Sequence, residues 1–260
     1  MILQEAGGGL LLFRQTDHAL LSAAFATAWG GGVIPAPTNR ASTLVAAARH
    51  DDGWAEWELE PRADADGRPV DFIHIPVADH TALYRRGIDL VEREDPYAGL
   101  LVSMHGERLY TRPFEPGMDP RIERLSGDDL LLAKDYVEHE QSRQRRIAGG
   151  DPDREAEEGW RLLQVWDRLS LLVCMQPLRE GTSRTLPPVA STNGDVNIEA
   201  RANDAGELTL DPYPFDTDPV EFTVAATFTS SKTWDGEVAF RREFRVGEHR
   251  VLTFTCSRAG

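Results

Sequence analysis

Arg49-His50-Asp51-Asp52-Gly53-Trp54 closes an alanine-rich run, Leu44-Val45-Ala46-Ala47-Ala48, that follows Ser42, a residue suited to an N-cap. The pattern predicts a helix from about Ser42 that delivers His50 and Asp51 at its C-terminal end, with Gly53 to terminate it. An imidazole and an adjacent carboxylate are two ligand types that a divalent cation accepts from one short stretch, provided that others converge from elsewhere. The flanking sequence decides whether they do.

On the N-terminal side, Ile2 to Phe13 is an extended segment broken by Gly7-Gly8-Gly9, a candidate hairpin. Gln15-Thr16-Asp17-His18 then leads into apolar residues at helical spacing through Trp29, with Thr16 or Asp17 as the cap and His18 in the first turn. Gly30-Gly31-Gly32, Pro35 and Pro37 end that helix. On the C-terminal side, Trp54 to Phe72 is rich in Asp, Pro and Gly and reads as a loop packed down by Trp54 and Trp57. Asp79-His80 opens a further helix through Ile88. Asp95-Pro96, a capping carboxylate before Pro in the first helical position, opens another, on which Ala98, Leu101, Val102, His105 and Leu109 share a face, so His105 points inward.

Two longer amphipathic helices are predicted at about 128–148 and 153–175, joined by Gly149-Gly150. On the second, Trp160, Leu163, Asp167, Ser170, Leu171 and Cys174 recur at steps of three and four, which puts the Asp167 carboxylate on an apolar stripe. A buried carboxylate needs a cation or several donors. From Leu186 the composition turns to Pro, Asn, Asp and Gly and then to alternating runs such as Glu221-Phe222-Thr223-Val224 and Val251-Leu252-Thr253-Phe254-Thr255, which read as strands of a small antiparallel sheet.

With 260 residues, 41% hydrophobic and 27% charged, the chain has the composition of a globular protein with its own core, as one large domain or one domain plus an appendage. No run approaches the roughly 20 apolar residues of a spanning helix, and the start lacks a basic segment followed by a long apolar one, so no membrane partner is expected and the expected location is cytoplasmic. Cys174 and Cys256 are too few for a disulfide framework. A net charge of −15 argues against nucleic acid as a general partner. A small anionic substrate stays compatible, because a metal site and one or two arginines reverse the potential locally.

In chain order the ligand-type residues are His18, His50-Asp51, His80, His105 and Asp167. This order resembles the two-metal branch of the HD-domain superfamily over about residues 15–175, a branch shared by HD-GYP-type phosphodiesterases and by myo-inositol oxygenase and its diiron relatives. More closely, Gln15-Thr16-Asp17-His18-Ala19-Leu20-Leu21-Ser22, His50-Asp51-Asp52-Gly53-Trp54, the run from Asp95-Pro96 to Met104-His105, and Asp167-Arg168-Leu169-Ser170-Leu171 look like a bacterial family carried under a domain-of-unknown-function label.

The superfamily resemblance implies a mainly α fold, an HD-like helical bundle over residues 14–180, with a small antiparallel β appendage from 186–260 and residues 1–13 as its candidate partner. It also implies a dinuclear centre of two divalent ions (Fe, Mn, Zn or Co) bridged by Asp51, the first held by His18, His50 and Asp167 and the second by His80 and His105. Asp51, His80 and His105 then carry the chemistry. The implied activity is that of a metal-dependent hydrolase, foremost a phosphohydrolase of a small phosphorylated molecule; the alternatives are a mixed-valent diiron oxygenase cleaving a C–C or C–P bond and a non-catalytic HD-like binding protein. In both enzyme groups the glycine after the doublet is often followed by Lys, where this chain has Trp54.

Arg85 and Arg86, one helical turn or so after His80, are candidates to hold the substrate's acid group, with Tyr84 and Trp54 as candidate pocket walls. Each residue also has a plainer reading. His105 fits a hydrogen-bonded core histidine, His80 a helix cap, and Arg85 and Arg86 a solvated ion-paired face. His74 is a reserve ligand, His139 belongs to a charged helix, His249 lies in the strand-rich tail, and Arg143-Gln144-Arg145-Arg146 suits a helix C-terminus meeting its dipole.

Overall fold

The computed structural model describes residues 1–114, 117–175, 177–178, 181–202 and 207–259. The chain starts as a hairpin, in which β1 (Ile2–Ala6) and β2 (Gly9–Phe13) pair antiparallel. Gly7 and Gly8 make its turn at φ 56° and 82°, a region that favours glycine. All five residues of β2 are buried, because its two faces serve different cores: Leu11 and Phe13 join the main one, while Leu10 and Leu12 pack with Phe240 and Phe244.

The helical part follows as α1 (Gln15–Ala28), α2 (Arg40–Arg49), α3 (Trp54–Leu59), α4 (Val77–Glu94), α5 (Pro96–Thr111), a 3-10 turn (Arg121–Arg124), α6 (Gly127–Ala148) and α7 (Arg154–Cys174). Local signals act as the sequence predicts at α5, where the Asp95 carboxylate accepts from the N–H groups of Tyr97 and Ala98, and at α6, which ends on left-handed Gly149. Other starts shift. The N-cap of α1 is Arg14 and that of α2 is Asn39, so Thr16, Asp17 and Ser42 lie inside their helices and cap nothing.

Trp54–Leu59 is helix, not loop. Gly53 keeps a right-handed helical backbone (φ −59°) and feeds α3, whose Trp54 and Trp57 lie three residues apart and bury two indoles on one side. Gly53 therefore terminates no helix. It allows a close crossing instead: a Cβ there would stand 2.0 Å from the Leu83 carbonyl oxygen, and one on Gly87 would stand 2.6 Å from the Gly53 nitrogen.

Beyond α7 come β3 (Ser183–Thr185), β4 (Val189–Ser191), β5 (Gly194–Val196), β6 (Glu199–Ala202), β7 (Leu208–Asp211), β8 (Val220–Thr229), α8 (Glu237–Val246) and β9 (Glu248–Arg258). The main sheet has seven strands in the order β1-β2-β8-β9-β7-β6-β3; β7 and β9 run parallel and the other neighbours antiparallel, while β4 and β5 form a separate pair. This overturns the mainly α fold, an HD-like bundle with a small antiparallel appendage. The chain is 48% helix and 21% strand, and its mixed sheet curls into a half-barrel.

The sheet is a core layer. Phe25 of α1 packs against Phe215, Phe222 and Phe254, with ring centroids 6.0, 4.7 and 6.0 Å away, and one hydrophobic cluster runs from the helices into the strands. The other face is covered by α8, in a stretch read as strand; Phe240 and Phe244, one turn apart, form its buried stripe. The expected boundary at residue 180 lies outside the described residues. Among those described, no helix is long and apolar enough to cross a membrane.

Candidate metal centre

Three helices bring two imidazoles and two carboxylates together in the interior, where His18, His50 and Asp51 form one group with ligand atoms within 4.8 Å of one another, and the sheet fixes the first of them. α1 leaves β2 after the single residue Arg14, so His18, in its first turn, is placed by the strand behind it. α1 packs on α2, which ends at His50-Asp51, and on α7, which carries Asp167. His18 Nε2 lies 3.1 Å from His50 Nε2, 3.1 Å from Asp51 Oδ2 and 3.6 Å from Asp167 Oδ1. His50 Nε2 lies 3.7 Å from Asp51 Oδ2 and 3.6 Å from Asp167 Oδ1.

The outer nitrogens of both rings are occupied. His50 Nδ1–H donates to the Ala47 carbonyl at 2.9 Å. Ser170, three residues after Asp167, donates its hydroxyl proton to the Asp167 carbonyl at 2.7 Å and accepts from His18 Nδ1–H at 2.6 Å. Neutral rings held this way turn the lone pairs of both Nε2 atoms inward. With both rings neutral, two imidazole lone pairs and two carboxylate oxygens face one another.

Charge is redistributed accordingly. Burial opposes a charged His50, but the Asp51 and Asp167 carboxylates outweigh it and raise its pKa to about 9. Burial also opposes ionisation of both carboxylates; nearby His50 and His18 nonetheless hold Asp51 below the usual carboxylate range, and His50, His105 and His18 bring Asp167 to about 2. In the metal-free chain a proton on His50 stands where a cation would relieve the same repulsion.

The remaining expected ligands sit nearby, differently engaged. His105 of α5 packs its ring 5.1 Å from His50, and His50, His105 and Asp167 form a second group with ligand atoms within 4.8 Å of one another. His80 of α4 joins no such group among the described residues, and its Nδ1 shares a 2.9 Å hydrogen bond with the Tyr110 hydroxyl. Burial lowers His105 to about 4, and burial together with the Arg121 charge lowers His80 to about 3, so both rings are neutral at pH 7. The Tyr84 hydroxyl donates to Asp51 Oδ1 at 2.7 Å, and burial and Asp51 raise its pKa well above the ordinary value, which keeps it a donor.

A cavity of about 440 Å³ opens over this centre, floored by His18, Asp51, His80, Tyr84, His105 and Asp167. Arg85 and Arg86 do not reach it. They pair across the outer surface with Asp135 (2.6 Å) and Glu56 (3.5 Å). Trp54 is buried behind His80, ring centroids 6.0 Å apart, and lines no part of the cavity. His74 is exposed on Asp71, His139 is largely exposed on α6, and His249 bonds Thr227. Arg143 is no simple helix-end charge: it is buried and paired with Asp89, Glu92 and Glu140 at 2.6, 2.6 and 2.9 Å.

Residues 1–230 match the model of a family described as "Protein of unknown function (DUF3891)". The chain belongs to that family. The match agrees with the domain-of-unknown-function resemblance and carries neither an activity nor a link to the HD superfamily. No curated protein and no solved structure matches the chain. In this DUF3891 member, sequence reasoning passed over Ser170, Gln15 and the cavity arginines Arg112, Arg121 and Arg124. A signal existed for Ser170, a hydroxyl three residues from Asp167 on an apolar stripe. The arginines sit in and beside an irregular segment where periodicity is silent.

Proposed function

We propose that the protein is a metal-dependent hydrolase, foremost a phosphohydrolase of a small phosphorylated molecule. The observation that carries this reading is the buried cluster of His18 Nε2, His50 Nε2, Asp51 Oδ2 and Asp167 Oδ1, in which each imidazole nitrogen lies 3.1–3.7 Å from both carboxylates. Four N and O ligands of this kind suit Zn²⁺, Mn²⁺, Fe²⁺ or Co²⁺. The order of the ligands supports it as well, since it resembles that of HD-superfamily metalloenzymes even though the fold is not their bundle.

A bound divalent cation lowers the pKa of water and stabilises charge on a phosphoryl oxygen. The chain's own groups then divide the remaining work. Tyr84 fixes the rotation of Asp51, while Ser170 and the Ala47 carbonyl fix the two imidazoles. His105 and His80, neutral and facing the cavity, orient water and ester oxygens by hydrogen bonds. In the net reaction water oxygen bonds to phosphorus, the P–O ester bond breaks, and the alcohol leaves with a proton from the water.

The residues offer two overlapping three-ligand sets, His18, His50 and Asp51 in one and His50, His105 and Asp167 in the other. Tyr84 donates to Asp51 Oδ1, and His80 bonds Tyr110 through Nδ1, which leaves its Nε2 available to a ligand. The oxygenase alternative would use the same ligands, and experiment separates the two. Elemental analysis of protein purified without chelator, with assays of phosphate release from aryl phosphates, tests this. About one to two equivalents of metal and metal-dependent phosphate release are expected, and Asp51→Ala abolishes both while keeping the helical circular dichroism. Two irons with oxygen-dependent turnover would establish the oxygenase instead, and less than about a tenth of an equivalent of any metal would sink both.

A further inference from the structure

We propose that the cavity over the cation seat is built for an amphiphilic anion, a phosphate ester with an apolar body. The inference rests on the hydrolase reading above and adds what its substrate looks like.

Three guanidinium groups line the cavity: Arg112 just past the end of α5, and Arg121 and Arg124, three residues apart on the 3-10 turn. Among the described residues none of the three has a carboxylate within ion-pair distance, although the chain holds 43 acidic side chains against 28 basic ones. Arg121 lies 5.0 Å from the centroid of the Tyr110 ring, whose hydroxyl bonds His80, so it stands one side chain away from the cavity floor. An acid group lying between the cation seat and Arg121 meets positive charge on both sides.

The walls are apolar, and so is the mouth. Phe72, Leu109, Leu125 and Leu171 line the interior, while Ile73, Phe114 and Met118, which are 56%, 38% and 41% exposed, gather at the rim. Large apolar side chains left in water around a concavity mark a contact surface for an apolar occupant. Gln15 lines the cavity as a polar residue, and its buried side-chain Oε1 has no hydrogen-bond partner among the described residues. About 440 Å³ accommodates an aryl- or nucleoside-sized body with its acid head. An inorganic anion would leave the walls wet, and a neutral apolar molecule would leave the arginines unpaired.

Phenylphosphonate and methylphosphonate carry the same head on different bodies and are not cleaved at a P–O ester bond. Calorimetric titration of the Mn²⁺-loaded full chain is expected to show phenylphosphonate binding at least about tenfold tighter than methylphosphonate. Arg121→Gln/Arg124→Gln is expected to keep the wild-type metal content and to weaken phenylphosphonate at least about tenfold. Arg112→Gln, at an exposed position, carries the same direction should the double variant fail to fold. In Asp51→Ala, which lacks the metal, arginine-dependent binding persists. Arginine variants that are folded and metal-loaded yet bind phenylphosphonate like wild type would overturn the proposal, as would equal affinity for the two phosphonates. A wild-type chain without metal overturns the hydrolase reading alone, because the arginine dependence is read in the same titration.

Discussion

Asp51 uses its two oxygens for different tasks. Oδ2 faces the two imidazoles and Oδ1 accepts from Tyr84. Removing the Tyr84 hydroxyl leaves Oδ1 buried and unpaired and lets the carboxylate rotate. Tyr84→Phe is therefore expected to retain the fold and weaken metal binding by roughly 10- to 100-fold, read by competition with a chromophoric chelator. Unchanged affinity would show that Asp51 is positioned by something else. The sequence made the ligand types legible at this scale, because an Asp on the apolar stripe of α7 and a His on the inner face of α5 are chemically out of place unless they are used. It left their partners illegible. Tyr84 reads as a pocket wall, and nothing local ties its hydroxyl to a carboxylate 33 residues earlier.

At the scale of elements, capping was readable and crossing was not. Asp95-Pro96 announces α5 because every contact involved lies within three residues. Gly53 looks like a helix stop, yet its lack of a side chain serves the backbone of α4, far along the chain. Gly53→Ala would press a methyl against the Leu83 carbonyl, which is not a flexible side-chain end, so a loss of roughly 3 kcal/mol is expected in urea unfolding. The contact between α4 and α6 includes a cluster of ion pairs. Arg143 and Arg146 each lie 2.6 Å from Glu92. Burial raises the Glu92 pKa, but the two guanidinium groups outweigh it and bring it below the ordinary value of 4.5. A carboxyl whose pKa falls on folding contributes stability above its unfolded pKa and loses it as pH drops through the folded one. Glu92→Gln should thus be less stable than wild type at pH 7, with the gap narrowing as the pH falls below the ordinary carboxyl value of 4.5, in paired urea titrations. A gap that stays constant with pH would assign the loss to packing.

For the whole molecule, the order of ligands pointed to a bundle because ligand order records only the helical segments. The strands were visible as alternation in Glu221–Val224 and Val251–Thr255, but alternation does not say what a sheet supports. Burial does. β2 has no exposed residue, and Phe25 takes its partners from β8, β9 and the loop before β8. An excised fragment of residues 14–180 lacks all of these surfaces. It is expected to show helical far-ultraviolet but no near-ultraviolet circular dichroism and to bind no stoichiometric metal; a cooperatively folding, metal-binding fragment would restore the independent bundle.

Arg14, the single residue between β2 and α1, leaves almost no slack between the sheet and His18. The consequence is one of timing. Any event that peels the edge hairpin away pulls the first ligand out of register before the other helices separate. Cation loss would then be an early reporter of strand opening, and a bound cation would act as a clasp that closes the N-terminal edge of the half-barrel.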